Sequence, residues 1–131
     1  MCLREQTDVN SYPESGVGYK VFVKLDPNLY RGAYRMKTYV RDQEYVASND
    51  NLWDDNDEFY PAGFHIFPEL ESAQNLLKFC RKYYPVRNTL IVRVSYRELH
   101  TCGYEQKLDL VKLPVIVAKY MTLLEEIETP C

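Results

Sequence analysis

One histidine stands in the most strongly patterned part of the chain. His65 lies in an apolar run, residues 64–67, directly before a segment with helical periodicity. Because an imidazole titrates near neutral pH, this side chain can act as a general base or contact a ligand. The alternative is a structural histidine at the entrance of the helix, hydrogen-bonded to backbone. The residue types leave both interpretations open.

A second candidate site is a strand on which basic and aromatic side chains share one face. The strand predicted over residues 33–41 carries Arg35, Lys37, Tyr39 and Arg41 on that face. With Lys20 and Lys24 of an earlier strand as further cations, such a face can hold phosphate groups or stack a base. The alternative is a solvated strand face whose charges discourage aggregation at a sheet edge. The net charge of −3 favours the solvated face.

An acidic segment, residues 48–58, is a candidate surface for a protein partner. Because Asp and Asn prefer turns, we predict an exposed loop rather than a central strand. The loop can imitate a phosphate backbone or meet a basic protein surface, or it can simply be solvated. It lacks the glycine and the closing glutamate of a calcium-binding EF-hand loop. The candidate partner-binding residues are Asp50, Trp53, Asp54, Asp55, Asp57, Glu58 and Tyr60.

Metal and nucleophile chemistry find little support in the residue spacing. The four cysteines are far apart and form no C-x-x-C pair, so we predict free thiols. His100 and Cys102 can supply two ligands from one turn, but no second pair accompanies them. Ser72 has no base beside it on its helix. We therefore predict no catalytic residue, no metal and no cofactor.

The best-specified element is a helix over residues 68–84 that follows a strand over residues 61–67. Pro68 suits the first turn of a helix, where its missing N–H has no partner to lose, and Pro85 ends the helix. The apolar stripe between them recurs at helical spacing. Its members are Leu70, Ala73, Leu76, Leu77, Cys80 and Tyr84.

Alternating side chains predict strands over residues 19–25, 33–41, 44–47, 89–99 and 115–124. Because residues 115–118 are apolar on both faces, the last of these strands is predicted to be central. We predict a turn at residues 100–103 and a switch to a short helix within residues 123–128. The fold class is therefore α+β: a mainly antiparallel sheet of about five or six strands, with one main helix on one face.

Composition describes a single ordinary domain. The chain has 131 residues, of which 46% are hydrophobic and 27% charged. We predict a flexible lead-in over residues 1–17 and one domain over residues 18–131. No apolar run is long enough to span a membrane, and the polar start lacks a signal peptide, so we expect a cytoplasmic protein. The 12 tyrosines, against 1 tryptophan, favour an interface.

Four short motifs follow one another along the chain. They are Met1-Cys2, Tyr19-Lys20-Val21, Gly63-Phe64-His65 ahead of Ala73 in the helix, and Val117-Ala118-Lys119. In this order the chain resembles a loose group of small uncharacterised proteins from bacteriophages and bacterial genomes. The resemblance implies a phage or mobile-element setting and no established activity. It also implies a host protein as partner, since many small phage proteins bind and block host machinery.

A second resemblance is to compact ADP-ribosyltransferase-like domains. It is carried by the strand at residues 63–67, the helix after it and the alternating strand at residues 90–96. It implies an anchor for a nicotinamide dinucleotide, a role left to Tyr19 or Arg31, and a late acidic residue, a role left to Glu98 or Glu105.

Three functions therefore stand as hypotheses. The first is a non-enzymatic binding protein that contacts a host protein through its tyrosine-rich surface and acidic loop. The second is a nucleotide- or NAD-handling domain, and the third is an RNA-binding sheet. A pocket at His65, Tyr60 and Arg35 would favour the second hypothesis, whereas a flat surface there would favour the first.

Overall fold

The computed structural model describes residues 3, 5–7, 12–33, 37–48, 51–53, 59–83, 88–105 and 112–127. These residues form ten strands and one helix. The strands are β1 (Glu5–Thr7), β2 (Gly16–Asp26), β3 (Leu29–Gly32), β4 (Thr38–Tyr39), β5 (Glu44–Val46), β6 (Asn51–Trp53), β7 (Phe59–Pro61), β8 (Phe64–Ile66), β9 (Thr89–Glu105) and β10 (Leu113–Ile127). The helix α1 (Leu70–Tyr83) lies between β8 and β9.

The main sheet is antiparallel, and its neighbouring strands follow the order β4-β3-β2-β9-β10-β5. The short strands β1 and β8 add to it, β1 along β9 and β8 along β10. Strands β6 and β7 form a separate two-stranded sheet. The predicted α+β fold, with a mainly antiparallel sheet of about six strands and one main helix, is confirmed.

The two longest strands, β9 and β10, are central because they bury side chains on both faces. In β10, Val115 and Val117 belong to the core beneath the helix, whereas Ile116 and Ala118 belong to the core on the opposite face. Strands that are covered on both sides lose the alternation of polar and apolar residues. The prediction that residues 115–118 lie in a central strand is therefore confirmed.

The sheet curls around the core on the face opposite the helix, so that its edge strands approach each other. Tyr39 of β4 and Tyr45 of β5 pack edge to face, with ring centroids 4.8 Å apart. The backbone N–H of Val40 donates to the Tyr45 hydroxyl over 2.8 Å. Below this contact, Tyr19 of β2 and Phe67 exchange two backbone hydrogen bonds of 2.8 Å, which bring the chain after β8 alongside β2.

Helix α1 packs on β2 and β9. Its buried residues Ala73, Leu76, Leu77 and Cys80 lie on one stripe, as their spacing predicts. The helix begins at Leu70 rather than at the predicted Pro68, and it is described as far as Tyr83; the predicted end at Tyr84 and Pro85 lies outside the described residues. This helix is too short and too polar to cross a bilayer, and the described residues contain no other helix that could.

A polar cluster joins β3, β2 and β10 at one end of the curled sheet. The fully buried Tyr30 donates its hydroxyl to Glu126 Oε1 over 2.7 Å, and Lys24 Nζ lies 2.8 Å from the same oxygen. Lys24, and then Tyr30, hold the pKa of Glu126 below its ordinary value. Burial first, and then the bond to Glu126, raises the pKa of Tyr30 to about 12.

Several local predictions are wrong. Residues 100–103 are not a turn, because β9 runs through them to Glu105 with a left-handed residue at Glu98, φ 57°. Residues up to Ile127 stay in β10 and pair with β9, so no helix forms there. The expected lead-in contains β1, and Leu3 beside it is 1% exposed.

Two predicted strands differ from those in the structure. Residues 61–67 do not form one strand: Ala62 and Gly63 separate β7 from β8. Gly63 lies so close to β10 that a Cβ there would meet the Ala118 carbonyl oxygen at 2.7 Å. Of the strand predicted over residues 33–41, only Thr38–Tyr39 belong to a strand, β4, among the described residues, and residues 34–36 lie outside them.

Candidate functional site

A cavity of about 430 Å³ opens where β2, β4 and β8 diverge. On one side of the cavity β3 pairs with β2 from Phe22 onward, and on the other side Phe67 pairs with Tyr19 of β2. Between these two pairings no strand among the described residues pairs with this side of β2, and Lys20 and Val21 line the opening. The volume lies within the usual range for sites that bind small molecules.

Small residues create the space. Three adjacent pairs line the cavity, and each comes from a segment next to a strand end: Gly32-Ala33, Ala47-Ser48 and Ala62-Gly63. Larger side chains form the remaining walls, and most of these are apolar or aromatic: Val21, Tyr39, Leu52, Phe64, Phe67 and Leu76. A mostly apolar lining with a few polar groups is typical of ligand pockets.

Lys20 bridges the gap between β2 and β8. Its Nζ donates a hydrogen bond of 2.8 Å to the backbone oxygen of His65. The side chain is only half exposed, so its charge is held at the cavity wall rather than in open solvent. A positive charge in a partly water-excluded site interacts more strongly with a ligand than a surface charge does.

Lys37 supplies the second positive charge of the lining. Its Nζ lies 5.6 Å from the ring centroid of Tyr39 and 6.0 Å from the centroids of Tyr45 and Phe64. A lysine on a strand edge is ordinarily free to sample many rotamers. Attraction to three ring faces restrains this one at the cavity.

His65 is one of the buried residues in the cavity wall. The residue is 5% exposed, and its Nε2 lies 3.3 Å from the hydroxyl of Tyr60. That hydroxyl also accepts the backbone N–H of Leu3 over 2.9 Å. The buried side chain therefore joins β8 to β7 and to the N-terminal segment, an arrangement typical of a structural histidine, while its carbonyl oxygen holds Lys20.

The predicted basic face is only partly assembled at the cavity. Lys37 and Tyr39 line it, whereas Arg41 donates to the Asn28 side chain and lies outside the lining. Tyr39 is 7% exposed and packs against Phe22, so the interpretation of a fully solvated face is wrong for this residue. Arg35 lies outside the described residues. Lys24 belongs to the cluster with Glu126.

The acidic segment is described only at its flanks. Residues 51–53, predicted as loop, form β6 and pair with β7, so the prediction is wrong there. Leu52 faces the cavity, and Tyr60 is buried at 1% exposure rather than presented to a partner. The remaining candidate partner-binding residues, Asp50, Asp54, Asp55, Asp57 and Glu58, and the side chain of Trp53, lie outside the described part of the structure.

The residues that the ADP-ribosyltransferase resemblance implies do not meet at the cavity. Neither Tyr19 nor Arg31 lines it, and neither Glu98 nor Glu105 does. Glu98 instead lies 3.9 Å from both Arg97 and Lys119. Among the described residues there is no cluster of three or more potential metal ligands from His, Cys, Asp and Glu.

The sequence pattern identified some of the lining and missed the rest. His65, Lys37, Tyr39 and Lys20 were candidates because of their chemistry. The small pairs were missed because glycine and alanine carry no functional group. Their positions next to strand ends are the one signal that could have indicated an open space.

Comparison with known proteins adds no assignment. No protein-family model matches the chain, no curated protein matches it, and no solved structure matches it. The resemblance to small phage and bacterial proteins therefore stays a prediction from the sequence.

Proposed function

We propose that this protein is a small-molecule-binding domain and that its ligand occupies the cavity between β2, β4 and β8. The observation that supports the proposal is the cavity of about 430 Å³ itself, with apolar walls and a small number of polar groups. Of the three residues at which a pocket was expected to favour a ligand, His65 lines the cavity, Tyr60 does not, and Arg35 lies outside the described residues. Binding, rather than catalysis, is proposed because the side chain of His65, which lines the cavity, is buried and its Nε2 contacts the hydroxyl of Tyr60.

The host-protein hypothesis stays a prediction from the sequence. It depends on the acidic segment, and residues 54–58 lie outside the described part of the chain. Capture from a host lysate by the wild type, and its loss when Asp54, Asp55 and Asp57 are changed to Asn, would support that hypothesis independently of the cavity.

The cavity can be tested by filling it. Ala47 lines the cavity, whereas its neighbour Val46 is 52% exposed and does not. Ala47→Trp should therefore block the space, and Val46→Trp is the matched control. Fragments that include indole, 2-naphthylmethanol and common nucleotides are screened by ligand-observed NMR against the three proteins.

We expect fragments that bind the wild type and Val46→Trp but not Ala47→Trp. Thermal unfolding of each variant confirms that the fold is kept. Binding to Ala47→Trp with unchanged affinity, or no binding by any fragment to the wild type, would contradict the proposal.

A further inference from the structure

The charges of the cavity lining are all of one sign. Lys20 and Lys37 line the cavity, and the described residues that line it include no aspartate or glutamate. The chain as a whole carries a net charge of −3, so this local excess of positive charge does not follow from the composition. Complementary charge selects among ligands that have similar shape.

Both ammonium groups have contacts within the protein, although that of Lys37, an exposed residue, is restrained only weakly. Lys20 Nζ is fixed by its 2.8 Å bond to the His65 carbonyl oxygen. Lys37 Nζ is attracted to the faces of Tyr39, Tyr45 and Phe64. Because their positions are restrained, binding an anion costs less side-chain entropy than it would on a lysine in solvent.

The rest of the lining matches a flat apolar body. Aromatic rings of Tyr39, Phe64 and Phe67 and the side chains of Leu52 and Leu76 form the larger walls. Aromatic side chains pack against other rings edge to face or offset, and the small pairs Gly32-Ala33 and Ala62-Gly63 leave room for a ring of the ligand. A ligand with an apolar body and a negative group would match both the apolar walls and the two lysines of the lining.

We propose that the ligand is an organic anion: a carboxylate or phosphate monoester carried on a flat, apolar body, with the anionic group contacting Lys20 and Lys37. This inference rests on the proposed function. Each charge-assisted contact to a lysine is expected to increase affinity about 10-fold.

The test uses four probes that share one ring system and differ in charge. They are 2-naphthoate, 2-naphthyl phosphate, neutral 2-naphthylmethanol and cationic 2-naphthylmethylamine, titrated into the wild-type protein by calorimetry. We expect both anions to bind at least about 10-fold tighter than the alcohol, and the amine to bind more weakly than the alcohol. The tighter anion identifies whether a carboxylate or a phosphate is preferred.

Variants test whether the two lysines cause the tighter binding of the anions. Lys20→Met and Lys37→Met should each weaken the anions about 10-fold and leave the alcohol unchanged. Lys78→Met is the matched control, because Lys78 is exposed on the helix and does not line the cavity. Since Lys20→Met also removes a bond to β8, a salt series on the wild type provides an independent measurement. Raising NaCl from about 0.05 M to about 0.5 M should weaken only the charged probes that depend on the lysines.

The two proposals fail in different ways. Equal affinity for anions and alcohol, or tighter binding of the amine, would overturn the anion inference while the cavity remained a binding site. If none of the four probes binds, the anion inference is wrong, while the proposed function still depends on the wider fragment screen. If Ala47→Trp binds the probes as tightly as the wild type does, both the inference and the proposed function are wrong.

Discussion

The cluster of Tyr30, Lys24 and Glu126 allows a quantitative test of how the curled sheet is held together. Glu126→Gln keeps the shape of the side chain and an oxygen that can accept the Tyr30 hydroxyl, but it removes the negative charge. In the wild type the Tyr30 hydroxyl and Lys24 Nζ lie 2.7 and 2.8 Å from the same oxygen of Glu126. The variant therefore isolates the contribution of the charge.

The expected loss of unfolding free energy in Glu126→Gln has two parts. A hydrogen bond to a charged acceptor is worth about 1.5–3 kcal/mol and one to a neutral acceptor about 0.5–1.5 kcal/mol, so the buried Tyr30 bond loses about 1 kcal/mol. The ion pair with Lys24 is about a third exposed, and its loss costs at most about 1 kcal/mol. The sum is about 1–2 kcal/mol, which for a chain of 131 residues lowers the melting temperature by about 4–7 °C.

Thermal or urea unfolding at two pH values provides the measurement. Because the pKa of Glu126 is lowered in the folded state, its contribution is present above the unfolded value of 4.5 and is lost as pH falls through the lower folded value. The difference in unfolding free energy between wild type and Glu126→Gln should therefore be full at pH 7 and smaller at pH 3. At the alkaline end, the raised pKa of Tyr30 contributes stability below pH 10.0 that is lost as pH rises towards about 12.

A second carboxylate provides the control. Glu44 makes two hydrogen bonds to Arg97, of 2.9 and 2.7 Å, but this pair is exposed. Solvent screens such pairs, so Glu44→Gln should leave the melting temperature unchanged within error. A stability loss in Glu126→Gln that is as large at pH 3 as at pH 7 would refute the argument, because the contribution of a carboxylate whose folded pKa is lowered must decrease as pH falls below 4.5.

Two further substitutions test how closely the elements pack. Gly63→Ala should destabilise the protein by about 1–3 kcal/mol in urea unfolding, because the new Cβ meets backbone at Ala118. Gly16→Ala is the control: its Cβ meets only a side chain, at 3.2 Å, and should cost less than about 1 kcal/mol. Equal losses in the two variants would contradict the explanation. Tyr60→Phe removes the acceptor of the Leu3 N–H, so it should lower the free energy of unfolding by about 1–3 kcal/mol and speed hydrogen exchange of the Leu3 amide. Unchanged exchange at Leu3 would show that the hydroxyl does not hold the N-terminal segment.

The elements that could be predicted from the sequence are those with a strong local pattern. The helix followed from the apolar stripe that includes Leu70, Ala73 and Leu77, and the central strand from the apolar residues 115–118. Both patterns arise from burial against the core. An apolar stripe with a period of 3.6 residues indicates a helix with one buried face, and an unbroken apolar run indicates a strand buried on both faces.

The parts that could not be predicted depend on distant partners. Nothing local to residues 33–41 shows that β4 is limited to Thr38–Tyr39, or that Tyr39 is covered by Phe22 while Thr38 is exposed. The extension of β9 through residues 100–105 depends on pairing with β10 and β1. The candidate site combines Lys20, Lys37 and His65, and only the curl of the sheet brings these residues to one cavity.

The position of β10 in the sheet determines the order in which the chain can fold. This strand, residues 113–127, pairs with β9 along its length and also with β8 and β5. The early strands β1 and β2 likewise pair with the late strand β9, although β2 also pairs with its neighbour β3. During synthesis, β1, β2, β5 and β8 therefore leave the ribosome before β9 or β10 is available to pair with them. A chain with such non-local pairing folds slowly and exposes strand edges meanwhile. The nascent protein is thus expected to be a substrate for chaperones until its last strand is complete.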